Sequence, residues 1–350
     1  MGYFDEKEIL LNVHDLHVSF PLTEGTVRAV TGVDLQVCRG EVLGLVGESG
    51  CGKSVTAQSI MRIIDQPGRI NKGSIELLCS DGSVVDVASL KPNDPRLRQI
   101  RGAEVSMIFQ EPMSSFAPVY TIGKQLMEAV MAHTDVSKRE AKEIVVDLLD
   151  RVGIPKAAKR VDEYPFEFSG GMRQRAMIAM ALSSNPSLLI ADEPTTALDV
   201  TIQAQILQLL MELQHELDLA IVFITHNLGV IAQIADRISV MYLGKIVEEG
   251  SVTEIFDSPR HPYTINLLQA IPRLGQRGTE LHSIRGSVPG PFEPLTGCPF
   301  HQRCDQCMPG LCDTYTPQML ALGETHKVRC FLYSEPEDEH TEGGLHHAAE

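Results

Sequence analysis

The segment from residue 47 to residue 54 constrains the fold of this chain more than any other. It reads Gly-Glu-Ser-Gly-Cys-Gly-Lys-Ser, a match to the pattern G-x-x-x-x-G-K-[ST]. The apolar run from Glu41 to Val46 before it is typical of a buried strand, and Ile60, Met61 and Ile64 after it have helical spacing. A glycine-rich turn between strand and helix directs backbone N–H groups toward an anion. The sequence therefore predicts an α/β fold with a phosphate-binding loop.

The side chains of this loop have predictable roles if the anion is a nucleotide. Lys53 is expected to bridge the β- and γ-phosphates, and the Ser54 hydroxyl to bind Mg²⁺. The alternative is a glycine-rich turn without a ligand. The residues predicted to contact the nucleotide are Gly47, Glu48, Ser49, Gly50, Cys51, Gly52, Lys53, Ser54 and Val55.

Two acidic residues follow a second apolar run. Leu188 to Ala191 is continuously apolar, Asp192 and Glu193 come next, and Pro194 prevents the strand from continuing. Because a buried parallel strand brings its carboxyl end to the ligand crevice, we expect Asp192 to hold Mg²⁺ through water and Glu193 to deprotonate the attacking water. Gln110, at the end of the run Ser-Met-Ile-Phe-Gln, can reach the same metal or water. The alternative is a solvated strand end.

Three further features are ambiguous when each is taken alone. Phe20 follows Leu16 and Val18 in alternation, so its ring either belongs to a sheet core or stacks on a base. His226 follows the apolar run from Ala220 to Thr225, where a histidine is more often structural. The Ser-Gly-Gly at 169–171 begins a helical pattern, with Ser169 as its N-cap.

Composition narrows the classes of partner. The formal net charge is −16, which repels phosphate backbones, so nucleic acid is not expected as a main partner. No apolar run approaches the roughly eighteen residues of a membrane span. The first residues, MGYFDEKEILL, are acidic where a signal peptide is basic. We therefore expect a cytosolic chain.

The pattern of apolar, polar and turn-forming residues along the chain predicts its division into domains. Residues 9–46 alternate as in an antiparallel sheet, and 121–165 are helical, with a capping box at Ser137 to Glu140. Residues 238–242 and 245–249 form a predicted hairpin. We expect a nucleotide-binding domain at 1–258 with a helical insertion at about 111–168, a small irregular extension at 259–333 and an acidic, disordered tail at 334–350. The apolar face predicted for the second insertion helix is Ile144, Val145, Leu148, Leu149 and Val152.

Cysteines are concentrated in the C-terminal extension. Cys298, Cys304, Cys307, Cys312 and Cys330 lie close together in the sequence. In a reducing compartment such a group indicates metal binding more than disulfides. Zinc at Cys304, Cys307, Cys312 and Cys330, an iron–sulfur cluster and free structural thiols all remain open.

The order of these motifs resembles the ATP-binding cassette (ABC) family. It runs from the phosphate loop through Gln110, Ser169-Gly170-Gly171 and Asp192-Glu193 to Ala197-Leu198-Asp199 and His226. The resemblance implies a RecA-like core with an antiparallel β-subdomain and a helical insertion. It also implies that Phe20 stacks on adenine, Gln110 is the Q-loop residue and His226 contacts the γ-phosphate. By the same resemblance, Asp199 lies at a dimer interface, and Ser169, Gly170, Gly171 and Met172 act on the ATP of a second cassette.

Longer segments look like the ATPase subunits of dipeptide and oligopeptide importers. They are Phe-Ser-Gly-Gly-Met-Arg-Gln-Arg at 168–175, Ala-Asp-Glu-Pro-Thr-Thr-Ala-Leu-Asp-Val-Thr at 191–201, His-Pro-Tyr-Thr at 261–264 and Gly-Cys-Pro-Phe at 297–300. The similarity implies an ATPase that uses Mg²⁺, lies on the cytoplasmic face of the plasma membrane and powers two transmembrane permease subunits. It further implies a second, different ATPase subunit and an extracytoplasmic solute-binding protein. Some relatives hold a four-iron four-sulfur cluster, which would be bound here by Cys298, Cys304, Cys312 and Cys330, with zinc as the alternative.

Other functions are weighed against this one. Relatives of the importer subunits move nickel or oligosaccharides, so these solutes are alternatives to peptides. A soluble ABC ATPase of translation or repair generally needs two cassettes in one chain, a coiled-coil insertion or N-terminal cysteines, and the sequence has none of them. A regulatory module with little turnover usually loses a catalytic residue, whereas Glu193 and His226 are both present here.

Overall fold

Two β-sheets organise the chain in a computed structural model that describes residues 8–110, 115–196, 198–270, 284–293 and 295–333. The smaller sheet is antiparallel and has the strand order β2-β1-β4-β5. Its long strands alternate buried and exposed side chains, because one face packs on the core. The strands are β1 (Ile9–Leu22), β2 (Gly25–Cys38), β4 (Arg69–Leu78) and β5 (Val84–Asp86).

The larger sheet carries the phosphate-binding loop. Its order is β11-β12-β10-β9-β3-β8-β7-β6, and the strands from β9 to β6 are parallel. The parallel strands are buried along their whole length because both of their faces are covered. The strands are β3 (Val42–Val46), β6 (Val105–Ile108), β7 (Leu188–Asp192), β8 (Ala220–Thr225), β9 (Arg237–Tyr242), β10 (Lys245–Ser251), β11 (Leu320–Ala321) and β12 (Lys327–Val328).

The helices fall into two groups. The helical insertion contains α3, α4 and α5, and the remaining helices accompany the sheets and the C-terminal extension. In chain order they are α1 (Lys53–Ile60), α2 (Pro95–Ala103), α3 (Ile122–His133), α4 (Lys138–Arg151), α5 (Ala157–Arg160), α6 (Gly170–Ala181), α7 (Val200–Leu217), α8 (Leu228–Ile234), α9 (Val252–Asp257) and α10 (Pro262–Gln269).

Helix α4 confirms one local prediction and corrects another. The capping box is present: the backbone N–H of Ser137 donates to Glu140 Oε2 at 2.8 Å, and the Ser137 side chain accepts from the N–H of Glu140. Ala141, Val145 and Leu149, spaced four residues apart, form its buried face. The prediction for Ile144 was wrong, since that side chain is 36% exposed.

Other predicted elements form with small differences in their ends. The hairpin of β9 and β10 turns at residues 243–244 as expected. Strand β6 ends at Ile108 and leaves Phe109 and Gln110 exposed, so the strand is shorter than the apolar pattern suggested. The Glu111-Pro112 break, the start of the insertion, Ala197 and the predicted tail at 334–350 lie outside the described residues.

The C-terminal extension does not form a separate layer. Helix α9 ends at Asp257, next to the predicted boundary at residue 258. Beyond it, β12 pairs with β10 and so widens the larger sheet. Tyr263, Phe300 and Cys312 are buried in the same core as the parallel strands. The extension therefore shares its hydrophobic core with the nucleotide-binding domain.

In the part of the chain that the structure describes, no helix combines the length and the apolar character needed to cross a membrane.

Candidate nucleotide-binding and catalytic site

The phosphate-binding loop joins the end of β3 to the start of α1. Gly52 is the N-cap of α1 and has a φ of 106°, a left-handed conformation that glycine adopts without strain. A Cβ on Gly52 would lie 2.4 Å from the carbonyl oxygen of Ala29, and one on Gly47 would lie 2.1 Å from that of Met241. The loop therefore packs so closely against the backbone of Ala29 and Met241 that positions 47 and 52 require glycine.

Lys53 lies inside the loop. Its Nζ donates to the carbonyl oxygens of Gly47 at 2.8 Å and Glu48 at 3.1 Å, and the residue is buried. These carbonyls hold the ammonium group at the centre of the predicted phosphate site. Burial raises the pKa of the neighbouring Cys51 thiol, so that side chain stays uncharged beside the lysine.

Glu193 is the centre of the predicted catalytic group. It follows β7 with a φ of 47°. Its Oε2 accepts from Gln110 Nε2 at 3.1 Å and from Thr196 Oγ1 at 2.9 Å, and its Oε1 lies 3.1 Å from His226 Nδ1. The structure thus brings together Gln110, Glu193 and His226, which the sequence placed at the ends of three different strands.

The hydrogen bonds to Glu193 determine its charge. Burial favours the neutral acid, but the hydrogen bonds from His226 and Thr196 outweigh burial and lower the pKa of Glu193. Lys53 adds a smaller effect of the same sign. Glu193 is therefore ionised at neutral pH, as a general base must be.

Asp192 lies next to Ser54 and has the environment expected of a cation ligand. Its side chain hydrogen-bonds with Ser54, and burial raises its pKa. Asp192 Oδ1 is buried and has no hydrogen-bond partner among the described residues. A divalent cation would satisfy this oxygen. The donors present, a carboxylate and a hydroxyl, are the oxygen ligands that Mg²⁺ prefers.

The remaining predicted residues lie away from this cluster. The Phe20 ring is half-buried and packs against Gly68, and no described contact joins it to the phosphate loop. Ser169 caps α6 by accepting from the N–H of Met172, and Asp199 caps α7 by accepting from that of Ile202. A Cβ on Gly170 would meet open space, whereas one on Gly171 would touch Ile202. Ser49, Gly50, Ser169, Gly170 and Asp199 are all exposed.

Thr196 and Tyr263 contact the site, although sequence reasoning gave neither of them a role. Thr196 donates to Glu193, and Tyr263, from the C-terminal extension, accepts from the backbone N–H of Glu48 at 2.8 Å. Both lie in segments that carried the family resemblance. That position in a shared motif was the only sequence feature that could have indicated them.

The cysteines of the extension come together without the geometry of a metal site. Burial raises the pKa of the Cys298 thiol to about 12, and the nearby thiols of Cys330, Cys312 and Cys304 add to this shift. Among the described residues, no group of three or more His, Cys, Asp or Glu side chains is arranged to hold a metal ion. Neither the iron–sulfur prediction nor the zinc alternative is therefore supported. Cys298 and Cys312 are buried in the same hydrophobic cluster as Phe300, and Cys304 and Cys307 pack against that cluster.

Comparisons with known proteins agree with this architecture. Residues 30–196 match the family model for ABC transporters, and residues 247–312 match the model for the C-terminal region of oligopeptide/dipeptide transporters. The dipeptide transport ATP-binding protein DppD of Bacillus subtilis is 48% identical over 326 residues, which are 93% of this chain and 95% of that protein.

Two further comparisons complete the assignment. The oligopeptide transport ATP-binding protein OppD of the same organism is 48% identical over 325 residues, covering 92% of this chain and 88% of that protein. The solved dimeric structure of MJ0796, a bacterial ABC transporter cassette, has a TM-score of 0.60 at 25% identity and covers 69% of this chain and 99% of that one. The chain belongs to the ABC family of transport ATPases, in the branch that contains the dipeptide and oligopeptide transport ATP-binding proteins.

Proposed function

We propose that this chain is the ATP-hydrolysing subunit of an importer for dipeptides or oligopeptides. The observation that carries the proposal is the ionised Glu193, held by Gln110, Thr196 and His226 directly after Asp192. The names of the relatives DppD and OppD support peptides as the solute and do not favour nickel or oligosaccharides.

Each residue of the site has a chemical role in this proposal. The backbone of residues 47–55 surrounds the phosphates, and Lys53 leaves the loop carbonyls to bind the β- and γ-phosphates. Ser54, Asp192 and Gln110 would hold Mg²⁺, which neutralises phosphate charge when bound. Glu193 orients a water molecule and takes its proton, while His226 lies beside Glu193 to contact the γ-phosphate. Phe20 stacks on the adenine.

A second cassette completes the site in this proposal. Ser169 and Gly170 are exposed at the N-terminus of α6, which is a favourable position for a phosphate from another subunit. Met172 and Gly171 continue the same helix, and Asp199 is exposed at the start of α7. The cassette that resembles this fold, MJ0796, has a dimeric structure. We propose a heterodimer with a sister ATPase.

The helical insertion is the surface that we propose for the permeases. It exposes apolar and aromatic side chains, with Val119 at 71% and Phe166 at 69% exposure, and the rings of Phe166 and Tyr164 stack at 5.5 Å. Exposed aromatic rings that stack on each other are consistent with a surface for protein contact. The two transmembrane permeases would place the chain at the cytoplasmic face of the membrane. An extracytoplasmic solute-binding protein would deliver the peptide.

A metal centre at the cysteines is a separate, finer proposal. In this proposal Cys298, Cys304, Cys312 and Cys330 would be the four ligands of a four-iron four-sulfur cluster, as the family resemblance implies. Zinc bound by Cys304, Cys307, Cys312 and Cys330 is the alternative. The lack of metal-site geometry among the described residues weighs against both.

The central proposal is tested by Glu193→Gln in the full transporter, reconstituted in liposomes with its permeases. We expect ATP hydrolysis to fall by about 10² to 10⁴, the usual contribution of a general base, while ATP binding persists. Dipeptide uptake should fall in parallel, and nickel uptake should be absent in the wild type. Glu212→Gln, an exposed change on α7, is the matched control, and Lys53→Ala should already lose nucleotide binding. Near-normal hydrolysis by Glu193→Gln would refute the role of Glu193 as base.

A further inference from the structure

Every polar group of Glu48, the second residue of the phosphate-binding loop, forms a hydrogen bond. Its backbone N–H donates to Tyr263 Oη at 2.8 Å, and its carbonyl oxygen accepts from Lys53 Nζ at 3.1 Å. Its carboxylate accepts from Arg303 through both terminal nitrogens, at 2.6 and 3.1 Å. Two of these three partners, Tyr263 and Arg303, belong to the C-terminal extension.

Arg303 is itself fixed in place. Its Nε donates to the carbonyl oxygen of Arg285 at 3.0 Å, and its Nη1 also donates to Tyr242 Oη at 3.2 Å. The guanidinium carbon lies 5.8 Å from the centre of the Tyr242 ring. The side chain is only 5% exposed, and the Glu48 side chain 25%. The guanidinium is therefore held in advance in the orientation that a bidentate pair requires.

A carboxylate in this position is a problem for a loop that binds phosphates. Because Glu48 belongs to the loop, its unpaired negative charge would repel a polyphosphate bound there, and partial burial would strengthen that repulsion. The paired guanidinium neutralises the carboxylate and fixes its direction. Since Arg can form two parallel hydrogen bonds with a carboxylate, it does this better than Lys would.

We propose that Arg303 is a positioning residue for ATP binding, which acts by neutralising Glu48 and holding the phosphate-binding loop in shape. In this proposal the C-terminal extension contributes to ATP binding by stabilising the phosphate-binding loop, although Arg303 itself does not contact the nucleotide. The inference rests on the proposed function, in which residues 47–55 bind ATP.

A double-mutant cycle on the full-length chain tests the proposal, with the Kd for Mg-ATP measured by calorimetry. Arg303→Ala should raise the Kd about tenfold, because it leaves the Glu48 carboxylate unpaired within the loop that binds the phosphates. Glu48→Gln removes the side-chain charge and keeps the loop backbone, so its Kd is the reference for the double variant. The Kd of Arg303→Ala, Glu48→Gln should stay within about twofold of that reference. In the transporter, Arg303→Ala should raise the KM for ATP and leave kcat unchanged.

Two variants separate this role from a structural one. Arg285→Ala removes a neighbouring exposed arginine whose carbonyl, not its side chain, contacts Arg303, and it should leave the Kd unchanged. Arg303→Met keeps the apolar stem, so it preserves packing if Arg303→Ala folds poorly. It should show the same tenfold loss, and Arg303→Lys a smaller one.

Two results would overturn the proposal. One is an unchanged Kd in both Arg303→Ala and Arg303→Met. The other is a tenfold loss that persists undiminished in the Glu48→Gln background, which would mean that Arg303 only supports the extension. Lys53→Ala tests the proposed ATP site independently of Arg303, so a failure of this proposal can be distinguished from a failure of the proposed site. If the wild type binds ATP and Lys53→Ala does not, the site stands whatever the Arg303 variants show.

Discussion

At the scale of single residues, Glu193 shows what local sequence can and cannot predict. Its place directly after Asp192, at the end of an apolar run, was enough to predict a catalytic carboxylate. Its left-handed φ of 47° and its N–H bond to the Ile224 carbonyl at 2.9 Å are tertiary features without a local pattern. A non-glycine residue in this conformation is held by its surroundings, as often occurs at functional sites.

Thr196 provides a prediction about pH. Its hydroxyl donates to Glu193 and helps to lower the pKa of that carboxylate. Thr196→Val removes the donor, so the pKa of Glu193 should rise, and the base should become protonated at a higher pH than in the wild type. We therefore expect the acid limb of the kcat-versus-pH profile of the transporter's ATPase to move to higher pH.

The matched control for this change is Thr134→Val, a threonine at the end of α3 whose hydroxyl donates to the carbonyl oxygen of Val130 in the same helix. The kcat-versus-pH profile of Thr134→Val should coincide with that of the wild type. An acid limb that stays in place in Thr196→Val would show that this hydroxyl does not set the charge of Glu193.

At the scale of secondary-structure elements, the starts of α6 and α7 show a limit of sequence reasoning. The residues at these helix ends can be identified from the sequence, but what the helix ends bind cannot. Ser169 caps α6 as predicted, and Asp199, for which no capping role was predicted, caps α7. Both ends are exposed, and neither touches the phosphate loop in any described contact. Sequence alone could not place a partner on them, because that partner would be another chain.

Ser169→Arg tests whether α6 acts on the nucleotide of another subunit. A long side chain at this helix start should block closure of the ATPase dimer, while the Kd of the isolated chain for ATP stays the same. Size-exclusion chromatography with ATP in the Glu193→Gln background would measure closure.

Ser169→Ala is the control for the lost cap, which costs about 1 kcal/mol. It should still dimerise. A weakened Kd for ATP in the isolated Ser169→Arg chain would contradict an action on the partner's site.

At the scale of the whole molecule, the parts of the fold that have local sequence patterns were predicted. The contacts that join the C-terminal extension to the nucleotide-binding domain were not. The parallel strands, the phosphate loop and the hairpin of β9 and β10 all have continuous patterns in sequence. The pairing of Glu248 with Val328 and the ion pair of Glu48 with Arg303 join distant segments. A strand of two residues, such as β12, has too few positions to show any periodicity.

Metal analysis of anaerobically purified full-length protein decides the state of the cysteines. A four-iron four-sulfur cluster predicts iron, sulfide and a brown absorption band, all lost in Cys298→Ser. Zinc without colour, retained in Cys298→Ser and lost in Cys307→Ser, would identify the alternative set of ligands. Protein free of both metals would show that the thiols serve only as core packing.

The pairing of β10 with β12 has a consequence for the synthesis of this protein. Strand β10 emerges from the ribosome well before β12, which is encoded close to the end of the described chain. Until translation reaches β12, the nascent nucleotide-binding domain has an unpaired strand at the edge of its larger sheet, a surface that favours aggregation. A premature stop codon shortly before Lys327 would leave the predicted catalytic residues intact and still yield a protein with that edge permanently open.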